Sequence, residues 1–304
     1  MSPRKASKGG HSGTKKAAKR YGRWVLRHRP EAADLQAVLD RAVATLPMQS
    51  GIFTKEGALR TAEMNRQLAW CMAFIAGAVN AGGYLAVSHY TSHMTGVVSS
   101  MADSTAEGDV ATALTALAMM LFFMGGAFLS TTLLSFGKRR ELPSRYAVSL
   151  LAEAMLLLVF GFMGGQLQDR IRFHLPETVA LLCFIMGMHN SLTTNISGAA
   201  VRTTHLTGTV TDIGIELSKL AYINIDKDPK LERIEANRSK LRLYVLILVS
   251  FFIGGILGAL GFRYIGFKVT VPLAAFLCFL AARPVILQVR LALRALKRNL
   301  EEEK

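Results

Sequence analysis

The chain has 304 residues, 51% of them hydrophobic, with 36 Lys and Arg against 21 Asp and Glu for a net charge of +15. That balance excludes an ordinary soluble domain of this length and points to a membrane protein with basic segments outside the lipid. The three cysteines, Cys71, Cys183 and Cys278, lie far apart inside apolar runs, which reads as buried packing and argues against a disulfide frame or a metal site.

Residues 1–29 contain ten Lys or Arg and no acid, interspersed with Gly and Ser. Such a segment buries too little apolar surface to offset its chain entropy, so a disordered basic tail is expected, drawn to anionic membrane lipids. Nothing aromatic or motif-like accompanies the charge, which argues against nucleic acid as its partner. Residues 30–66 form an amphipathic helix and linker: Leu35, Val38, Leu39, Ala42, Val43 and Leu46 recur at helical spacing, with Glu31 and Asp34 in the first turn. These first 66 residues lack the apolar core of a signal peptide.

Six apolar runs follow, at 67–87, 113–136, 146–165, 178–198, 243–263 and 269–289. Each meets the roughly 20-residue length that a helix needs to cross the hydrocarbon layer. Continuous runs exclude the alternation of a membrane β-barrel, so the spans are helical. The segment 88–112 has no Lys or Arg, whereas 137–145 carries Lys138, Arg139, Arg140 and Arg145, and 199–242 is basic again. This alternation places both termini in the cytoplasm of a cell inner (plasma) membrane, despite Arg170 and Arg172 on the assigned outside. A charged cytoplasmic tail, 291–304, closes the chain.

The two halves repeat. "MAFIAGAVNAGGY" followed by "TSHMTG" matches "CFIMGMHNSLTTN" followed by "TTHLTG", setting Gly77 opposite Gly187, Asn80 opposite Asn190, His93 opposite His205, Thr95 opposite Thr207 and Gly96 opposite Gly208. "FFMGGAFLS" at 122–130 matches "FFIGGILGA" at 251–259. Each unit holds three spans, residues 67–165 and 178–290. An odd number inverts the second copy in the membrane, the arrangement common among secondary transporters, and sets the two His-x-Thr-Gly segments toward opposite sides. The expected fold is therefore an all-α integral membrane protein of six transmembrane helices in two inverted-topology three-helix repeats, with a basic disordered N-terminal tail.

"SHMTG" after a Gly-rich first span, with "RTTHLTGTVTDIGIEL" after the fourth, resembles the YoaK-like bacterial membrane proteins, a family built around a domain of unknown function. The resemblance covers roughly residues 66–290. It implies Asn after the first HMTG and an Asp late in the first span, where this chain has Val97 and Asn80, departures that count against a proton-carrying role at that motif. It implies no reaction or substrate.

Polar groups at membrane depth usually face a protein interior or a watery cavity, which singles out Asn80, His189, Asn190, Thr193, Thr194 and Asn195. The fourth span turns polar after Met188, the signature of a broken helix whose free amides contact ions or polar solutes. In both motifs Ser or Thr is expected to cap a new helix, with His at its start. The candidate substrate-binding set is Asn80, His93, Thr95, Gly96, Asn190, Arg202, His205, Thr207, Gly208 and Asp212. Interhelical hydrogen bonding accounts equally for the asparagines, whereas for the duplicated His93 and His205 function is favoured over packing, with shared ancestry the alternative source of the duplication. His189 has Val79 opposite it. His89 and His93 are one turn apart, but no Cys or carboxylate adjoins them, so no metal is expected. Asp212 and Glu216 also read as the polar face of a surface helix whose other face is Val210, Ile213, Leu217 and Leu220. Arg202 points weakly to an anion, since Tyr90 stands opposite it.

The function these features favour is a small secondary transporter for an unknown small polar or anionic solute, without cofactor and without ATP hydrolysis, because no GxxxxGK[ST] loop is present. A membrane scaffold recruiting partners through the basic tail and loop is the second reading. An integral-membrane enzyme is the third, weakened by the lack of HExxH, GxSxG or clustered carboxylates. A homo-oligomer is compatible with all three.

Overall fold

The computed structural model describes residues 59–87, 89–140, 142, 145–167, 175–224 and 233–302. These form α1 (Ala62–Val87), α2 (Met94–Ala106), α3 (Val110–Arg139), α4 (Arg145–Leu167), α5 (Leu175–Ser197), α6 (Leu206–Ala221), α7 (Arg238–Ile265), a 3-10 turn (Gly266–Val269) and α8 (Thr270–Glu302), with no strand among the described residues. The basic tail, the amphipathic helix of residues 30–47, and Arg170 and Arg172 lie outside the described residues.

Among the described residues, five stretches are long and apolar enough to cross a membrane: Ala62–Leu85, Val110–Arg139, Arg145–Gly165, Glu177–Ser197 and Arg238–Ile286. The fifth expected span and all but the last three residues of the sixth fall in the last of these, which runs for 49 residues through α7, the 3-10 turn and the start of α8. Arg263 and Lys268 lower the hydropathy at the junction, and the chain also turns there. What interrupts α7 is backbone geometry, with Gly266 at φ +61°, a region that L side chains rarely adopt. Residues 291–302, expected as a tail, continue α8.

Local chemistry sets the starts of two long helices in the same way. Asp109 caps α3 by accepting from the Thr112 N–H at 3.1 Å, and Asn237 caps α7 by accepting from the Lys240 N–H at 3.0 Å. Such caps typically stabilise a helix by about 1 kcal/mol.

The first helix of each half packs on the third helix of the other: α1 against α7, and α5 against α3. Glycines make this approach feasible. A methyl group on Gly77 would collide with the Phe251 carbonyl, and one on Gly254 with the Phe74 carbonyl. In the other pair, a methyl on Gly187 would strike the Phe123 carbonyl and one on Gly126 the Phe184 carbonyl. The same four-residue interlock is thus built twice. It corrects the sequence register by one residue, because Gly126 takes the place of Gly254 and not of Gly255. The paired "GG" dipeptides align in sequence, but a methyl group would clash with a neighbouring backbone at only one glycine of each pair.

α1 and α5 are the buried centre, contributing Leu68, Met72, Ile75, Leu182, Ile185 and Met186 to the core. α3 and α7 turn Leu121, Phe122, Met124 and Phe128, and Phe252, Ile253 and Ile256, outward. α4 packs on α8, where Gly161 meets Thr270 and Gly164 meets Phe267, while Gly165 faces open space.

Candidate functional site

The fourth apolar run is not broken where its sequence turns polar. α5 continues to Ser197 because its polar side chains bond back to the helix: Asn190 Nδ2 donates to the Met186 carbonyl (2.9 Å), Thr193 Oγ1 to that of His189 (3.1 Å) and Ser197 Oγ to that of Thr193 (2.8 Å). The chain turns only afterwards, through Gly198 at φ +60° and Ala199 at φ +65°. A non-glycine residue there costs about 1–3 kcal/mol, so the turn is held by its surroundings. Ser197 Oγ accepts from the Val201 N–H at 3.0 Å, and the Ala199 N–H donates to the Thr194 carbonyl at 2.9 Å.

The two repeated segments are built alike. Ser92 donates to Asn80 Oδ1 through its hydroxyl at 2.8 Å and its N–H at 3.3 Å, and Thr204 Oγ1 donates to Asn190 Oδ1 at 2.6 Å. The hydroxyls expected as helix caps therefore serve another purpose: they pin each loop back onto the preceding helix. The N-cap positions of α2 and α6 are His93 and His205, neither of which makes a side-chain capping bond. Each asparagine lies seven residues before the end of its helix, so each loop is held against the last two turns, and the first turns of α2 and α6 keep N–H groups without an acceptor inside the helix.

Both first turns line one cavity of about 770 Å³. Ser92, His93, Met94 and Thr95 border it from the first half, with Phe123 of α3. Gly198, Arg202, Thr204, His205, Thr207, Gly208 and Asp212 border it from the second, with Lys240, Tyr244 and Ile247 of α7. The segments expected toward opposite sides thus share a single cavity. Two helix N-termini, Arg202 and Lys240 give it a positive wall, which suits an anion or the negative end of a polar solute. Asp212 is the acid within it and is hydrogen-bonded to Tyr244. Burial first, and then the Arg202 charge, hold His205 below its usual 6.5, so its imidazole is neutral at pH 7 and both donates and accepts.

α6 presents its polar face inward. Thr209 and Glu216 are buried and Asp212 half-buried, while Val210, Leu217 and Leu220 are exposed, the reverse of a helix lying on a watery surface. Glu216 accepts from Lys219 Nζ at 2.9 Å and from the Asn237 N–H at 2.6 Å, tying α6 to the start of α7. Those donors, the Lys219 bond foremost, hold its carboxyl below the usual 4.5.

Of the predicted site residues, His93, Thr95, Arg202, His205, Thr207, Gly208 and Asp212 come together at the cavity. Asn80 and Asn190 stand behind its wall and hold Ser92 and Thr204. Gly96 lies beneath the His93 ring, which a methyl group there would strike. Sequence reasoning missed Lys240 and Tyr244, which reach the cavity from a distant helix. It also passed over Glu153. Glu153 Oε1 lies 2.7 Å from His189 Nδ1, both side chains fully buried, although an acid in the middle of an apolar run was itself a signal. Among the described residues no group of three or more His, Cys, Asp or Glu is placed to hold a metal.

These helices and this polar cavity define an all-α protein of membrane type. The chain belongs to DUF1275, a family described as proteins of unknown function, whose model matches residues 68–283; YoaK belongs to the same family. No curated protein and no solved structure matches it.

Proposed function

We propose that the protein is a small secondary carrier of the cell inner membrane, with both termini cytoplasmic and two inverted three-span repeats rocking about the shared cavity. The observation that carries this reading is the meeting of both His-x-Thr-Gly segments at one cavity, each delivered by a loop pinned to an asparagine. Support for the repeat comes from the exchanged glycine contacts, Gly77 and Gly254 on one side, Gly187 and Gly126 on the other. In an inverted pair, α2 and α6 enter from opposite faces and their first turns meet at depth, so a single cavity and opposed entry are compatible. The ionic groups at the cavity, Arg202, Asp212 and Lys240, all come from the second half, and their counterparts by position in the first are Tyr90, Ser100 and Thr112. With the basic loops in the cytoplasm, this arrangement is the inward-facing state, and the solute is small and polar with an anionic group.

The test replaces Cys71, Cys183 and Cys278 with alanine, places one cysteine at Thr95 or Thr207, and applies a small membrane-impermeant thiol reagent from either side. Alternating access requires each position to be reached from both faces. Labelling from one and the same face at both positions would remove the carrier reading.

A further inference from the structure

Glu153 and His189 form a buried pair that does not line the cavity. Glu153 sits on α4 and His189 on α5, while the Met72 carbonyl of α1 lies 3.0 Å from His189 Nε2. A carbonyl only accepts, so Nε2 carries its hydrogen and donates to Met72. That leaves Nδ1 facing Glu153 Oε1 at 2.7 Å. With no hydrogen between them, two lone-pair acceptors would face each other at this distance beside a buried negative charge. One proton must therefore occupy the axis, bonded to Oε1 or to Nδ1, and in either assignment the pair carries no net charge. Among the described residues Glu153 Oε2 is buried with no hydrogen-bond partner, so an ionised carboxylate there has no donor among them beyond His189.

We infer that Glu153 and His189 form a proton-binding site whose loading is linked to the packing of α1, α4 and α5. In the loaded state one proton bridges the pair and the three helices close on it. In the unloaded state the proton has passed to water, leaving a carboxylate and a neutral imidazole with a net charge of −1. The observed geometry cannot hold that state, so α4 must part from α5 far enough for water or a cation to reach Oε1 and Oε2. Binding the proton and closing the helices then favour each other reciprocally.

Within α1, α3, α4 and α5, more than five residues from either end, Glu153 and His189 are the only Asp, Glu, Lys, Arg or His residues. The other titratable groups on the three helices at the pair are the thiols of Cys71 and Cys183, and Tyr84 and Tyr146, with Glu63, Arg66, Arg145 and Glu177 near the helix ends; α3 brings only Lys138 and Arg139, in its last turn. α8, packed on α4, carries Cys278, Arg283 and Arg290 in its first 21 residues, and α7, packed on α1, carries Arg238, Lys240, Arg242 and Tyr244 near its start and Arg263 and Tyr264 near its end. His189 adjoins Asn190, whose Oδ1 holds the cavity residue Thr204, so a shift of α5 at the pair moves the cavity wall. The site itself does not rest on the carrier reading.

The experiment uses the full chain in lipid nanodiscs without any solute and records infrared difference spectra as pH is raised. Expected is loss of one proton per chain, with a carboxyl band giving way to a carboxylate band and an imidazole band changing at the same pH. E153Q should abolish both changes and H189N the imidazole change, and melting of the wild type should fall as pH rises toward that transition and level off above it, a fall that E153Q should lack. If a variant does not fold, wild-type protein with isotope-labelled glutamate and histidine assigns the bands by their shifts. A spectrum without paired carboxyl and imidazole changes, or one that E153Q leaves intact, overturns the proposal.

Discussion

Single side chains decide how the cavity wall is held. Thr204 is half-buried, and its hydroxyl is the donor to Asn190 Oδ1. Thr204→Val keeps the shape and removes the donor, leaving a buried oxygen unmatched at about 1–3 kcal/mol. The expected result is a lower melting temperature and impaired solute binding, both restored by Thr204→Ser; an unchanged binding curve for the valine variant would show that the loop needs no pin. His205 makes a pH prediction. Its value lies below 6.5 in the folded chain, so the unfolded chain binds more protons, and its contribution to stability is present above pH 6.5 and lost as pH falls through the folded value. Protonation there adds positive charge beside Arg202. Sulfate, a probe anion whose own charge does not change in this range, should accordingly bind more tightly as pH drops below 6.5, and His205→Gln should remove that gain in calorimetric titrations. Glu216 follows the same sign at a lower pH: its stabilisation is present above 4.5 and lost as pH falls through its depressed folded value. Glu216→Gln should flatten the acid limb of the melting curve below about pH 4.5, the usual carboxylate range.

At the scale of helices, the decisive feature is close approach. Gly77 and Gly187 each meet a carbonyl of the opposing helix, so Gly77→Ala and Gly187→Ala force α1 from α7 and α5 from α3. Overpacking of this kind costs about 1–3 kcal/mol, and both variants should melt earlier. Gly165 meets nothing within 4 Å, and Gly165→Ala should leave the melting temperature unchanged. A uniform response of all three would mean that helix propensity, not interhelical contact, governs these positions. The register of the interlock was beyond sequence reasoning, because two adjacent glycines look interchangeable until one of them faces a backbone. The continuity of α5 was hidden for a related reason: Asn190, Thr193 and Ser197 look like helix breakers by composition, but in a buried helix their side chains return to its own carbonyls.

For the whole molecule, the reciprocal packing makes a prediction about sidedness. Glu107, between α2 and α3, and Ile223, between α6 and α7, occupy corresponding and exposed connections. Cysteine at Glu107 should react with an impermeant maleimide on intact cells, and cysteine at Ile223 only after permeabilisation. Reaction of both on the same face would exclude inverted repeats. The helical class, the positions of the long apolar stretches, and seven of the ten candidate residues at the cavity were legible in the chain, because hydropathy and a duplicated motif are local signals that need no partner. Tertiary structure alone decided that both motifs share one cavity, that Lys240 and Tyr244 join them, that the polar face of α6 turns inward, and that Glu153 meets His189. The reason is that each depends on which helices cross, and crossing is set by glycine contacts between segments 58 to 180 residues apart, such as Gly126 with Phe184 and Gly254 with Phe74, about which local pattern is silent.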